Sequence, residues 1–112
     1  MRAIVLLSFG LATCAGGEAQ IVSAGSKHEI QMRAVSFVPG ELVVQVGDTV
    51  TWRNADIVRH NALRPGQFDT GELRPGERYT WVPADTGSFT YKCTIHQRMR
   101  GSLKVRPAAA PK

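Results

Sequence analysis

Tyr91-Lys92-Cys93-Thr94-Ile95-His96-Gln97-Arg98-Met99-Arg100-Gly101, near the C-terminus, sets a thiol, an imidazole and a thioether at C-x2-H-x2-M spacing. A soft thiolate beside imidazole selects copper or zinc, and two imidazoles with a thiolate and a weak thioether form the donor set of electron-transfer copper centres. The stretch therefore reads as three of the four ligands of a copper site. Just upstream, Phe89, Tyr91 and Cys93 alternate onto one face, which places Cys93 at a strand end with its sulfur entering the core. The chain must then turn, and the returning strand begins near Gly101. His96 and Met99 share that tight loop.

The remaining ligand is a second histidine, and the chain offers His28 and His60. His60 follows a strongly patterned strand, so a loop at a sheet end can present it. His28 lies near the start of the mature chain and reads as an exposed strand residue. Met32 competes with Met99 for the thioether role, and spacing favours Met99. A site built from three residues of one loop and one of a rigid neighbour changes shape little between oxidation states.

Further outward the pattern is period two. Leu42, Val44 and Val46 share a face opposite Val43 and Gln45, Gly47-Asp48 turns the chain into Val50 and Trp52, and Leu103 and Val105 form a last inward pair. Pro65-Gly66, Pro75-Gly76 and the segment from Pro83 to Gly87 mark turns, with alternation resuming from Arg78 to Val82. No long segment of period 3.6 interrupts this. Short strands at regular spacing predict an all-β sandwich of antiparallel character.

With these residues in place, the sequence resembles the small blue copper proteins, the cupredoxins, and among them the amicyanins more closely than plastocyanin or pseudoazurin. The resemblance runs from Ser36 to Val105 through Pro39-Gly40-Glu41 to Trp52, His60-Asn61, Gly87 to Cys93, the ligand loop, and Gly101 to Val105. It implies a Greek-key β-sandwich binding one type 1 copper ion through His60, Cys93, His96 and Met99. It also implies a role for Asn61 in tying the two ligand loops together and tuning the site by hydrogen bonding. Three positions depart from the family pattern. Arg59 stands where a proline often precedes the first histidine, and Ile95 and Gln97 stand where amicyanin-like loops carry prolines, so the loop is less preorganised.

Met1-Arg2 and the apolar run from Ala3 to Ala12 read as a secretory leader, too short to span a bilayer permanently. Residues 1–20 are assigned to it, with the cupredoxin domain at 27–106 and a flexible tail at 107–112. Leu11-Ala12-Thr13-Cys14 also resembles a lipobox, so ordinary cleavage competes with lipidation at Cys14, the one route to a membrane. Either way the domain works in the periplasm or cell envelope. Cys14 being removed or lipidated, Cys93 is left alone, and a metal accounts for an unpaired thiol in an exported chain better than the bland alternative of a small buried hydrophobe.

The formal net charge is +5. Loss of the leader leaves it unchanged, because Arg2 and Glu18 go together. Scattered basic residues without a run argue against nucleic acid; they suit a soluble surface or an acidic partner. The leading function is a monomeric carrier of single electrons between redox proteins, taking them from a periplasmic dehydrogenase or respiratory complex and passing them to a c-type cytochrome or oxidase. His96 is the expected port, rimmed by Arg98 and Arg100. An alternative is copper storage or delivery, which clusters of Met and His would favour and which this chain lacks. A metal-free structural sandwich would leave the four ligands coincidental, and zinc suits the same thiolate and imidazoles. An enzyme is disfavoured, because four protein ligands leave no position open to substrate.

Overall fold

Alternating apolar residues fold this chain into two facing sheets. The computed structural model describes residues 25–109; the segment read as a leader, with Cys14, and the last residues of the expected tail, 110–112, lie outside them. Nine strands run in order: β1 (Lys27–Arg33), β2 (Ser36–Val38), β3 (Glu41–Gln45), β4 (Thr49–Asn54), β5 (Leu63–Arg64), β6 (Phe68–Asp69), β7 (Arg78–Trp81), β8 (Gly87–Lys92) and β9 (Arg100–Arg106). One sheet has the order β2-β1-β4-β7, the other β3-β9-β8-β5-β6. The all-β sandwich expected from the periodicity is what forms.

The pairing is less uniformly antiparallel than the pattern suggested. β1 lies parallel to β4, with Ile30 opposite Trp52, and β3 lies parallel to β9, with Val44 opposite Val105. The cause is a double crossover. The chain passes to the second sheet at Pro39-Gly40 and back at Gly47-Asp48, so strands on either side of an excursion meet running the same way. Alternation reports which face a residue takes and carries no information about strand direction.

Burial follows period two. Val50, Trp52 and Asn54 of β4 and Gly101, Leu103 and Val105 of β9 point inward, with the residues between them more open. Trp52 is fully buried, its ring 4.5 Å from Phe68, 5.6 Å from Tyr91 and 6.2 Å from Trp81 between ring centroids. Gly101 faces Tyr91 across the β8–β9 ladder. A Cβ at position 101 would fall against Cζ and Oη of Tyr91, so glycine is what lets that ring lie over β9.

The start of β4 is anchored by Asp48. Its carboxylate accepts from the backbone N–H groups of Ser26 and Gln45 and pairs with His28 Nε2, each at 2.9 Å. His28, expected to be an exposed strand residue, is a strand residue folded half inward onto this carboxylate. Burial pushes the Asp48 carboxyl up, while hydrogen bonds from Gln45, His28 and Ser26 outweigh it and hold the group below the usual aspartate range. A lowered native pKa means the unfolded chain takes the proton first, so the stabilisation is complete above about pH 4 and lost as pH falls through the depressed value. In urea titrations the midpoint gap between wild type and Asp48→Asn should be widest near pH 7 and close below about pH 4. A gap that persists unchanged at pH 2.5 would contradict this.

Candidate metal centre

β4 runs from the Asp48 turn to Asn54, and the loop that follows carries His60 at the opposite end of the sandwich. Asn54 is fully buried and organises that loop. Its Nδ2 donates to the carbonyls of Val58 and Leu73, both at 2.8 Å, and its Oδ1 accepts from the Asp56 N–H at 2.9 Å. The His60 backbone is pinned from both sides by Leu73, through N–H to carbonyl contacts of 3.2 and 2.7 Å. A loop that would otherwise be mobile is thereby fixed to the sheet end.

The second loop leaves β8. The Cys93 N–H donates to the Met99 carbonyl at 3.0 Å and the Met99 N–H to the His96 carbonyl at 3.0 Å, which pinches Cys93, His96 and Met99 into one short loop. Cys93 and Met99 are each only 1 % exposed. The Ile95 N–H points at the Cys93 sulfur from 3.4 Å.

The two loops are tied reciprocally. Asn61 Nδ2 donates to Thr94 Oγ1 at 2.9 Å, and the Thr94 N–H donates to Asn61 Oδ1 at 2.7 Å. Asn61 thus holds the residue after Cys93 to the residue after His60. The imidazoles of His60 and His96 consequently meet, with ring centroids 4.8 Å apart and planes tilted by 57°.

Each ring turns a nitrogen into the interior with nothing to bond it. His60 Nδ1 and His96 Nε2 are both buried and without a hydrogen-bond partner. The other His60 nitrogen, Nε2, lies 2.9 Å from Asp56 Oδ2. Hydrogen bonds from the Val35 N–H, His60 and the Ile57 N–H hold the Asp56 carboxyl down at about 2, so it is ionised and can only accept. Nε2 is therefore the donor in this contact, and Nδ1 is the ring nitrogen left without a protein partner. Buried orphan nitrogens are costly in protein alone and ordinary where a cation fills the gap. Among the described residues no three His, Cys, Asp or Glu side chains close into a complete ion cage as they stand. The donor set rests on two imidazoles, a thiol and a thioether, and its chemistry fits a soft transition metal.

His28 is excluded from this centre, because it sits on Asp48 at the far end of β4. Met32 is buried in β1 within the core, whereas Met99 belongs to the loop itself. The sequence reading did not pick out Asn54, Asp56 or Thr94. The Asn-x-Asp pair at the end of β4 was a legible signal for side chains bonding their own loop.

Around the centre the surface mixes apolar and basic residues. Ile57 is 89 % exposed and Ile95 41 %, with Val58 also open. Arg59 pairs with Glu72 at 3.2 Å, and among the described residues Lys92, Arg98 and Arg100 make no ion pair.

No family model matches the chain. It is 28 % identical to amicyanin of Paracoccus denitrificans, over 94 % of this chain and 92 % of that protein. It is 30 % identical to amicyanin-alpha of Methylorubrum extorquens, over 77 % and 76 % respectively. The solved Cu(I) structure of a methionine variant of amicyanin superimposes with a TM-score of 0.67 at 27 % identity, covering 71 % of this chain and 82 % of that one.

Proposed function

The chain belongs to the cupredoxins, in the amicyanin group, and from that premise we propose that it carries single electrons between redox proteins on one copper ion held by His60, Cys93, His96 and Met99. The observation that carries the reading is the pair of buried, unpartnered imidazole nitrogens on rings in contact, beside a loop bearing a buried thiol and thioether. Copper, when bound, supplies a one-electron Cu(II)/Cu(I) couple.

The protein's part is to hold its donors still. Leu73 fixes His60, the Cys93–Met99 backbone bond closes the loop, and Asn61 joins the two. Ligands that need not rearrange keep the reorganisation accompanying transfer small. Export is supported by the leader, and amicyanin-like relatives suit a periplasmic carrier meeting a dehydrogenase on one side and a cytochrome or oxidase on the other. His96 is the exit, reached through a rim of Ile95, Ile57, Arg98 and Arg100. That rim favours a partner with an apolar centre and acidic surroundings, in contacts that salt weakens. With four protein donors the site has no place for a substrate, so the chain acts as a carrier and not as an enzyme.

Cu(II) added to the purified mature protein should give one equivalent of an intense red-absorbing band that ascorbate bleaches with one electron per protein. A colourless copper complex, or no uptake, would end this reading. Asn61→Ala should separate the loops and shift the reduction potential by on the order of 60 mV, the equivalent of a tenfold change in the relative affinity for the two oxidation states. Voltammetry showing no shift beyond error would make Asn61 a plain turn residue.

A further inference from the structure

The end of β1 already meets the end of β4, with Met32 opposite Asn54 and the Ala55 N–H on the Met32 carbonyl at 2.9 Å, and Asp56 extends that contact into the turn beyond β1. Its Oδ2 accepts from His60 Nε2 at 2.9 Å and also from the Val35 N–H at 3.0 Å, while Oδ1 accepts from the Ile57 N–H at 2.9 Å. Val35 belongs to the turn between β1 and β2, where Ala34 and Val35 have φ of 51° and 54°. A turn with both central residues left-handed normally takes Asn-Gly, because a Cβ, and above all a branched one, clashes there. Ala-Val is among the poorer choices for it. Something outside the turn must hold it, and the Asp56 carboxylate is bonded to its central N–H.

If Asp56 served only to order its own loop, the Oδ1 bond to Ile57 and the Asn54 contacts would suffice. Oδ2 instead makes two further bonds, one out of the loop to the strained turn and one to the His60 ring, whose other nitrogen is buried without a partner.

We propose that Asp56 is a positioning residue: one carboxylate fixes the tautomer and orientation of the His60 imidazole and clamps the Ala34–Val35 turn to the His60 loop, so that a remote hairpin turn helps set a copper ligand. This deepens the copper reading and rests on it, yet its first half concerns the metal-free protein and fails or survives separately. Partners that orient a ligand imidazole are worth about 10- to 100-fold in metal affinity.

The test is nitrogen-15 NMR of the imidazoles and amide exchange on the metal-free protein, followed by Cu(II) titration, for wild type, Asp56→Asn, Asp56→Ala and Val35→Gly. Wild type should hold His60 as the Nε2–H tautomer. Asp56→Ala should lose the single tautomer, exchange the Val35 amide about tenfold faster or more, and bind Cu(II) about 10- to 100-fold more weakly. Asp56→Asn, whose amide turns a donor toward one of the three N–H groups, should fall between. Val35→Gly keeps the N–H and relieves the left-handed strain, so tautomer and affinity should stay within about twofold.

A wild-type His60 protonated on Nδ1 would overturn the proposal, as would an Asp56→Asn protein matching wild type in tautomer, exchange and affinity. A loss in Val35→Gly equal to that in Asp56→Ala would put the turn's side chain in control and overturn it too. A protein with the expected tautomer and exchange behaviour that takes up no copper would uphold the clamp and overturn the copper reading.

Discussion

Cys93→Ser should abolish the visible band of the copper-loaded protein outright, while leaving a folded domain. The band depends on charge transfer from a sulfur that is easily oxidised, and a serine oxygen is too hard and too weakly acidic to replace it. The loop survives because its closing contacts, Cys93 N–H to Met99 carbonyl and Met99 N–H to His96 carbonyl, are made by backbone. The buried hydroxyl costs about 1–3 kcal/mol if it finds no partner. Absorption spectra at equal copper loading, read beside thermal melts, separate the two effects. A serine variant with its colour intact would place the chromophore elsewhere and remove Cys93 from the ligand set.

The largest loss of stability is expected for Trp52→Ala, about 3–5 kcal/mol. Trp52 is fully buried and touches aromatic neighbours from both sheets, Phe68 and Tyr91 from one and Trp81 from its own. Three rigid rings cannot collapse into the space it leaves. Most of the cost is therefore packing. Domains of this size are stable by about 5–15 kcal/mol in total, so the variant would be marginal. Copper affinity should weaken along with it, because Asn54, two positions further along β4, organises the His60 loop. Urea unfolding that shows a loss below about 1 kcal/mol would mean the aromatic cluster is not the keystone of the core.

Leu103 and Val105 were read as an inward pair and Tyr91 and Cys93 as sharing a core-facing side, and all four are buried; Leu42 and Val46, placed on the face of buried Val44, and Phe89, placed with Tyr91, are only half-buried. Pleating makes facing a local property, so sequence suffices. The loop from Cys93 to Met99 was equally legible, because its donors lie within a few residues of one another. Asn61 was reached through family resemblance, and the structure shows it bridging to Thr94. His28 was misjudged in part, because its partner Asp48 is brought beside it only when β1 and β4 pair in parallel.

Local order along the chain carries the two-faced strands, the thiol, imidazole and thioether of one loop, and the choice of His60 as their partner. Which strands run parallel, and that one aspartate grips both a hairpin turn and an imidazole, depend on the assembled sheets. Those choices depend on where two crossovers bring distant backbone together. A side chain's own neighbours along the chain carry its facing and its chemistry, but hydrogen-bond partners some twenty or thirty residues away are set by the packing of whole sheets.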